Sequence, residues 1–394
     1  MIPTKEIETK CAEIIAAIAQ CPHTDPSLLC GHAGFTIFYA YANKYFNDAG
    51  IQEPFEKSLQ LGLGAFQGGQ TGVSFSLGYA GICWSVAHLT KLDLLDADVN
   101  ELFGEVIEFL KDDSIQKLKQ NNFDFMDGGL GLNVFLVDER NVSFGKPHLE
   151  NCVSQLLQNA TLTTGDAKWI DVNDPDAADP VYNLGLSHGI PAIIWFLSLC
   201  YMNDVEKQTA DELLNKTIAW LLKQKNDSNS PSVFPMKVKA SGKSKPSKLS
   251  WCYGDLGIAS VLWQAGLRLN NSEWKEEGVK IMLHAAKRKR MEGDTTFDAG
   301  LCHGSAGIAH MFNRFYKETK MEEFEVARMY WLKQTLELAT FTEGLAGYKA
   351  WDATNGWQNE YGLLEGIAGI GLSLLGFLTD DVNELNWDRC LLLS

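Results

Sequence analysis

The chain has 394 residues, 45% hydrophobic and 21% charged, an ordinary composition for a globular protein. Its 34 Lys and Arg stand against 50 Asp and Glu, and the formal charge of −16 excludes a basic nucleic-acid surface or a face for anionic lipid. No stretch approaches the ~20 apolar residues of a membrane span, Met1 to Glu8 lacks the regions of a signal peptide, and nine scattered cysteines do not form a secreted disulfide framework, so a cytoplasmic location is expected.

Along the chain a Gly-x-x-Gly, or a near copy, recurs seven times, each copy opening an apolar run. The first, Gly31/Gly34, follows Leu29-Cys30, and the second, Gly78/Gly81, follows Ser76-Leu77. Glu101 to Lys111 then places Phe103, Val106, Ile107 and Leu110 on one helical face. The third copy, Gly128/Gly131, follows Met126-Asp127, with Asp124 just ahead. An acidic insertion from Thr164 to Pro180, carrying Asp171, Asp174, Asp176 and Asp179, reads as a surface loop. The fourth copy, Gly189/Ala192, follows Ser187-His188 and leads into a run from Ile190 to Leu197 that is apolar all round, as a buried helix must be.

Ala210 to Gln224 is again amphipathic, with Leu214, Ile218, Leu221 and Leu222 on one face. Asn226 to Lys248 is rich in Ser, Lys and Pro, and reads either as a solvated loop or as a rim that touches substrate. It leads directly into Trp251-Cys252-Tyr253 and the fifth copy, Gly254/Gly257. The sixth, Gly304/Gly307, follows Cys302-His303, and the seventh, Gly366/Gly369, follows Leu364-Glu365. Cys390 stands fifth from the end, which rules out a prenylation box.

The repeating unit is therefore an outer amphipathic helix, a loop, the glycine motif and an inner helix, with no convincing strand alternation between them. Seven such pairs either stack as an open solenoid or close into a ring. An open solenoid needs polar capping repeats, yet the last unit from Gly366 to Leu375 is as apolar as the middle ones. The expected fold is an all-α, α/α toroid of seven outer and seven inner helices, one domain spanning residues 1–394.

Reactive side chains concentrate at one phase of the repeat, just before the first glycine, in repeats three to six. Cys252, Cys302 and His303 offer two thiols and an imidazole at the mouths of helices, and this donor set suits one zinc ion with an open fourth position. Two thiolates make such a zinc a mild Lewis acid, better at holding a nucleophilic thiolate than at making hydroxide. Cys30 shares the phase, but no paired residue supports it as a ligand. His188, at the same phase without a cysteine neighbour, is a natural proton donor or acceptor. Position alone does not choose between Asp124 and Asp127 as its partner, and Tyr253 either donates a hydrogen bond to developing charge or simply packs. The other histidines read as structural: His284 and His310 within helices, His88 on an apolar helix, His23 and His148 in loops, His32 inside the first glycine motif.

Together these motifs resemble the lanthionine synthetase C family. Trp251-Cys252-Tyr253-Gly254 matches its WCYG motif, Cys302-His303-Gly304 its CHG motif and Ser187-His188-Gly189 its SHG or AHG motif. Gly362 to Leu372 resembles its C-terminal glycine signature, and Trp387-Asp388-Arg389 is similar to family members as well. The resemblance implies a zinc-dependent cyclase with Cys252, Cys302 and His303 as metal ligands. In the family a peptide Cys thiolate on zinc adds to dehydroalanine or dehydrobutyrine, giving a lanthionine or methyllanthionine thioether. The match to His188 takes the proton from the thiol or gives one to the enolate, the catalytic aspartate falls on Asp124, and Tyr253 is a nearby active-site hydroxyl. The implied partners are a dehydrated precursor peptide, a dehydratase and an exporter, in a complex that can sit at the inner face of the membrane.

The chain departs from the family pattern in three places. Ala192 replaces the second glycine of repeat four, a packing change. Some members carry an arginine shortly before WCYG, where the nearest cation here is Lys248, which lacks the bidentate fork. The short interval between Cys83 and Asp124 leaves little room for the β-rich extension of some bacterial cyclases. Two other readings share the resemblance: an enzyme adding glutathione to dehydroamino acids, and a non-catalytic zinc-containing binding module. A prenyltransferase-like subunit is disfavoured, since it uses an aspartate ligand where this chain has adjacent Cys and His.

Overall fold

Fifteen α-helices are present among the described residues, 2–68, 71–137, 142–174, 178–239, 241–243, 245–289 and 298–394 of a computed structural model, and apart from the single turn Ala65–Gly68 the other fourteen alternate between amphipathic and buried. In order they are α1 (Thr4–Ala19), α2 (His32–Phe46), α3 (Gln52–Leu63), α4 (Tyr79–Lys91), α5 (Val99–Lys119), α6 (Asn133–Leu136) and α7 (Val142–Asn159). They continue as α8 (Ile190–Met202), α9 (Lys207–Leu222), α10 (Asp255–Arg268), α11 (Ser272–Ala286), α12 (Ser305–Thr319), α13 (Glu322–Glu337) and α14 (Ile367–Leu375). Even-numbered helices are the buried ones that follow the glycine motifs, and α8 is buried without interruption from Ile190 to Cys200. The alternation of seven amphipathic and seven buried helices is thus the one expected. Among the described residues no helix is long and apolar enough to cross a membrane.

The first glycine of the motif is the N-cap residue of six of the seven buried helices, at Gly31, Gly78, Gly189, Gly254, Gly304 and Gly366. The second glycine answers a different need. At Gly307 a Cβ would lie 1.9 Å from the carbonyl oxygen of Leu301, so the loop can fold back on its own helix only if no side chain stands there. Gly307→Ala should therefore destabilise the protein by on the order of 3 kcal/mol, seen as a lowered thermal midpoint by circular dichroism. Gly254 adds a backbone reason, because its φ of 94° is one that side-chain-bearing residues rarely adopt.

Repeat three breaks the rule. Its cluster Gly128-Gly129-Leu130-Gly131 has too low a helix propensity to start a long helix, and α6 is a single turn beginning only at Asn133. His148 also departs from expectation: Lys146-Pro147 suggests a loop, yet the helix α7 carries the proline near its start and His148 is buried within it. There its Nε2 lies 3.3 Å from Cys152 Sγ, and burial pushes its pKa down to about 4.

The chain forms two compact units, one of residues 1–104 with 289–387, the other of 105–288 with 388–394. In the first unit α12 packs on α14, α14 on α2, and α2 on α4. Backbone hydrogen bonds between the motif loops follow the same order. Leu301 N–H donates to Leu364 O at 2.9 Å, Leu364 N–H to Leu29 O at 3.0 Å, and Leu29 N–H to Ser76 O at 3.1 Å. The seventh repeat thus lies between the sixth and the first, and α1 also packs on α14. Packed on both sides in this way, the last repeat has no exposed end to cap, which explains why it is as apolar as the rest.

In the second unit α8 packs on α10, and Ser187 N–H donates to Cys252 O at 3.4 Å, again joining two loops at the motif phase. Buried side chains hold the last residues of the chain: Trp251 Nε1 donates to Leu391 O at 2.8 Å, and Gln264 Nε2 to Leu392 O at 2.9 Å. The strands are short. β1 (Thr161–Leu162) pairs with β2 (Ala167–Lys168), and β3 (Val181–Asn183), β4 (Lys237–Lys239) and β5 (Gly242–Lys243) form an antiparallel sheet. In the first unit β6 (Ala350–Asp352) pairs with β7 (Gly356–Gln358). Strands of two or three residues are too brief to register as alternation in a sequence.

The sheet β3–β4–β5 changes the picture of the two insertions. The acidic one and the Lys-rich one are bound together, with Lys237 Nζ 2.8 Å from Asp174 Oδ2 and Ser241 N–H donating to Asp179 Oδ1 at 3.0 Å. Asp176 lies outside the described residues.

Candidate active site

In the first unit Cys302 and His303 directly precede Gly304, so they sit over the N-terminus of α12, whose free N–H groups and dipole favour a thiolate. Glu365 stands at the corresponding place in repeat seven, held beside them by the loop-to-loop hydrogen bonds. One ligand atom from each of Cys302, His303 and Glu365 lies within 4.8 Å of the others, close enough for all three to reach one ion. Both ring nitrogens of His303 face carboxylates: Nδ1 is 3.7 Å from Glu365 Oε1, and Nε2 is 3.6 Å from Asp298 Oδ2. Burial pushes the Glu365 carboxyl above its ordinary range, with His303 pulling the other way.

Asp298 is 2% exposed and fixed twice from the backbone, its Oδ1 accepting from Gly300 N–H at 3.0 Å and its Oδ2 from Trp351 N–H at 3.1 Å. A carboxylate fixed in this way beside the ring is placed to bias the orientation of the His303 imidazole. Neither Asp298 nor Glu365 is assigned a role by the sequence reading. The signal for Asp298 is an acid or amide six residues before the first glycine that closes a tight turn: Asp25 and Asn183 do the same, accepting from Ser27 N–H at 2.8 Å and Gly185 N–H at 2.9 Å.

The second unit holds Cys252, Tyr253, His188 and Asp124. Cys252 is half-buried, with Sγ 3.6 Å from Ser250 Oγ. His188 Nδ1 is 2.6 Å from Asp124 Oδ2. Asp124 is only 5% exposed, and its Oδ1 accepts from Met126 N–H at 2.7 Å and Asp127 N–H at 3.1 Å, so the carboxylate is locked before it meets the imidazole. Asp127 by contrast is exposed. His188, Asp124 and Tyr253 line one cavity of about 370 Å³ together with Asn183, Asp171 and Lys237. Asn183 donates from Nδ2 to Asp171 Oδ2 at 2.9 Å and to the Tyr253 hydroxyl at 3.5 Å.

The charges set the protonation states. Burial opposes a charged His188, but the hydrogen bond and negative charge of Asp124, helped by Asp127, outweigh it and raise the pKa above the ordinary histidine value. Burial also raises Tyr253, so its phenol keeps its proton near neutrality. Asp124→Asn removes the charge and leaves the burial. The imidazole resonances of His188, followed by NMR, should then titrate at lower pH than in the parent protein; an unmoved midpoint would show that Asp124 does not set it.

Cys30, which shares the phase, is exposed. His310 packs against Trp387, ring centroids 4.6 Å apart and tilted by 40°, and His88 stacks on the Trp84 ring at 4.8 Å. Lys248 is exposed and does not line the cavity; the lysine that does is Lys237.

Comparison with known proteins gives the same direction at three levels. A family model described as lanthionine synthetase C-like protein matches residues 9–392. The nisin biosynthesis protein NisC of Lactococcus lactis subsp. lactis is 23% identical over 352 residues, covering 82% of this chain and 78% of that protein. The solved structure of nisin cyclase superimposes with a TM-score of 0.74 at 19% identity, over 99% of this chain and 98% of the other. At that identity the likeness shows the fold, the all-α fold that the helical repeats led one to expect.

Proposed function

The chain belongs to the lanthionine synthetase C-like family, and on that premise we propose that it is a lanthipeptide cyclase. Its substrate is a dehydrated precursor peptide, in which it joins a Cys thiol to dehydroalanine or dehydrobutyrine as a thioether. The likeness to nisin cyclase and NisC supports the substrate class. The observation that carries the reading is the Asp124–His188 pair in a polar cavity beside Tyr253, because a module that only binds zinc has no use for an acid–base dyad.

Cys302 and His303 hold the zinc ion in this proposal, and Cys252 enters as the third ligand on its WCYG motif alone. The sulfur, nitrogen and oxygen donors gathered at Cys302, His303 and Glu365 fit that metal. What zinc supplies when bound is a lowered pKa for a coordinated substrate thiol. The rest falls to side chains of the protein. Addition forms a carbon–sulfur bond at the β-carbon of the dehydro residue and sends the alkene electron pair toward the neighbouring carbonyl as an enolate. Tyr253, kept protonated, donates a hydrogen bond to that charge. With Nδ1 engaged by Asp124, His188 has Nε2 left to hand a proton to the α-carbon, and its raised pKa keeps that proton in place to higher pH. The dehydratase that makes the acceptor and the exporter that removes the product are partners in the same proposal, acting in the cytoplasm.

The test is to incubate the protein with a dehydrated, Cys-containing peptide, with and without glutathione, and then alkylate and weigh the product. Loss of alkylatable thiol at unchanged mass is the expected outcome. A mass gain equal to glutathione would instead make it a glutathione-adding enzyme, and an unaltered peptide alongside bound zinc would make it a binding module.

A further inference from the structure

The unit-two cavity contains one group for which the acid–base pair leaves no role. Lys237 lies in the Lys-rich insertion, outside the glycine motifs, yet it lines the same cavity as His188 and Tyr253. The sheet is what puts it there. Lys237 on β4 stands directly across from Asn183 on β3, and residues opposite each other on antiparallel strands share a face. Asn183 in turn donates to the Tyr253 hydroxyl, so the phenol oxygen accepts on one side and has its own proton left to donate.

The electrostatics of the cavity call for a cation. Asp124, Asp127, Asp171 and Asp174 all line it, and among its described lining residues only His188 and Lys237 can carry positive charge. An enolate forming among four carboxylates is disfavoured, and His188 loses its charge in the step that protonates the α-carbon. Lys237 is held at the wall by Asp174 Oδ2 at 2.8 Å, on a side chain long enough to turn toward a bound carbonyl.

We propose that Lys237 is a catalytic residue of the cyclisation, its ammonium donating with the Tyr253 hydroxyl to the acceptor carbonyl oxygen as that oxygen takes on enolate charge. This inference rests on the cyclase reading. The lysine transfers nothing: the electron pair that moves onto oxygen returns when the α-carbon takes its proton, and Lys237 keeps all three of its own. The Lys-rich insertion then works as a wall of the active site, and the acidic insertion is the strap that holds that wall.

The experiment compares steady-state cyclisation by the full-length zinc-loaded protein with Lys237→Met, Lys237→Arg and Asp179→Asn. Lys237→Met should lower kcat by about 10²-fold, the usual effect of removing one oxyanion donor, with KM changed by no more than about threefold. Lys237→Arg, which keeps a cationic donor, should recover most of that loss. Asp179→Asn weakens the contact to Ser241, the other clamp between the insertions, by removing its charge and putting an NH2 where Oδ2 accepts the Ser241 hydroxyl; it does not touch the cavity and should cyclise at the parent rate. An Asp179→Asn variant as slow as Lys237→Met, or a Lys237→Met defect confined to KM or to the thermal midpoint, would make Lys237 a structural clamp and overturn the assignment. If the parent protein leaves peptide thiols untouched, the cyclase reading fails first and takes this inference with it.

Discussion

Cys302→Ala is expected to lose both the zinc ion and the activity while keeping the fold. Zinc measured by atomic emission should drop from one equivalent to none after dialysis, and cyclisation should fall to the uncatalysed background. Structural zinc sites bind with roughly 10–16 kcal/mol in all, so losing one of a few strong ligands removes on the order of 3 kcal/mol, or more than a hundredfold in affinity. The hydrogen bonds that shape the Cys302 loop, from Leu301 N–H to Leu364 O and from Gly300 N–H to the Asp298 side chain, do not involve the thiol. Circular dichroism of the variant should therefore match that of the parent. A Cys302→Ala protein that still holds stoichiometric zinc would sink the ligand assignment.

His188→Ala should behave in the opposite way, keeping zinc and losing turnover. A positioned acid or base contributes typically 10²–10⁴-fold, and the kcat of this variant is expected to fall within about that range. The loss should be largest where the parent imidazole is still protonated. Since Asp124 raises the His188 pKa, the parent rate should hold from mildly acidic pH through the ordinary histidine range and decline only above it. The variant should lack that decline. There is a stability consequence with a fixed sign. A pKa raised by folding stabilises the protein fully below the unfolded value and loses that contribution as pH rises through the folded one. Removing the imidazole also leaves Asp124 buried, still accepting from Met126 and Asp127 N–H but without its partner, at a cost of about 1–3 kcal/mol. A His188→Ala variant that cyclises at the parent rate would place the proton transfer elsewhere.

The helical repeat was legible in the sequence because glycine is chosen by hard sterics. Gly307 faces a carbonyl at a distance that no Cβ tolerates, so the motif recurs at fixed phase and is seen by counting. The phase itself singled out Cys302, His303, Cys252 and His188 as candidates, and the structure joins loops of equal phase by backbone bonds such as Leu301 to Leu364 and Ser187 to Cys252. What could not be read depends on pairing across long intervals. Asp124 and Asp127 look equivalent by position, and only the family resemblance chose between them; Asp124 turns inward because its oxygen caps the turn at Met126, while Asp127 stays exposed at the edge of the cavity. Lys237 is one of several lysines in a polar stretch, and only its register against Asn183 sets it apart. Repeat three misled for the reverse reason: the motif is present, but the extra Gly129 weakens the helix it should begin.

One measurement bears most directly on the claim that this protein joins a peptide thiol to a dehydro residue. A peptide carrying one Cys and one dehydroalanine is incubated with the zinc-loaded protein, with no other thiol present. Free thiol is then followed over time by alkylation and intact mass. The thiol should disappear with no change in mass and at a rate set by enzyme concentration, and tandem fragmentation should find the two residues cross-linked. A peptide that keeps its alkylatable thiol at the rate of the enzyme-free control, with zinc bound to the protein throughout, would contradict it.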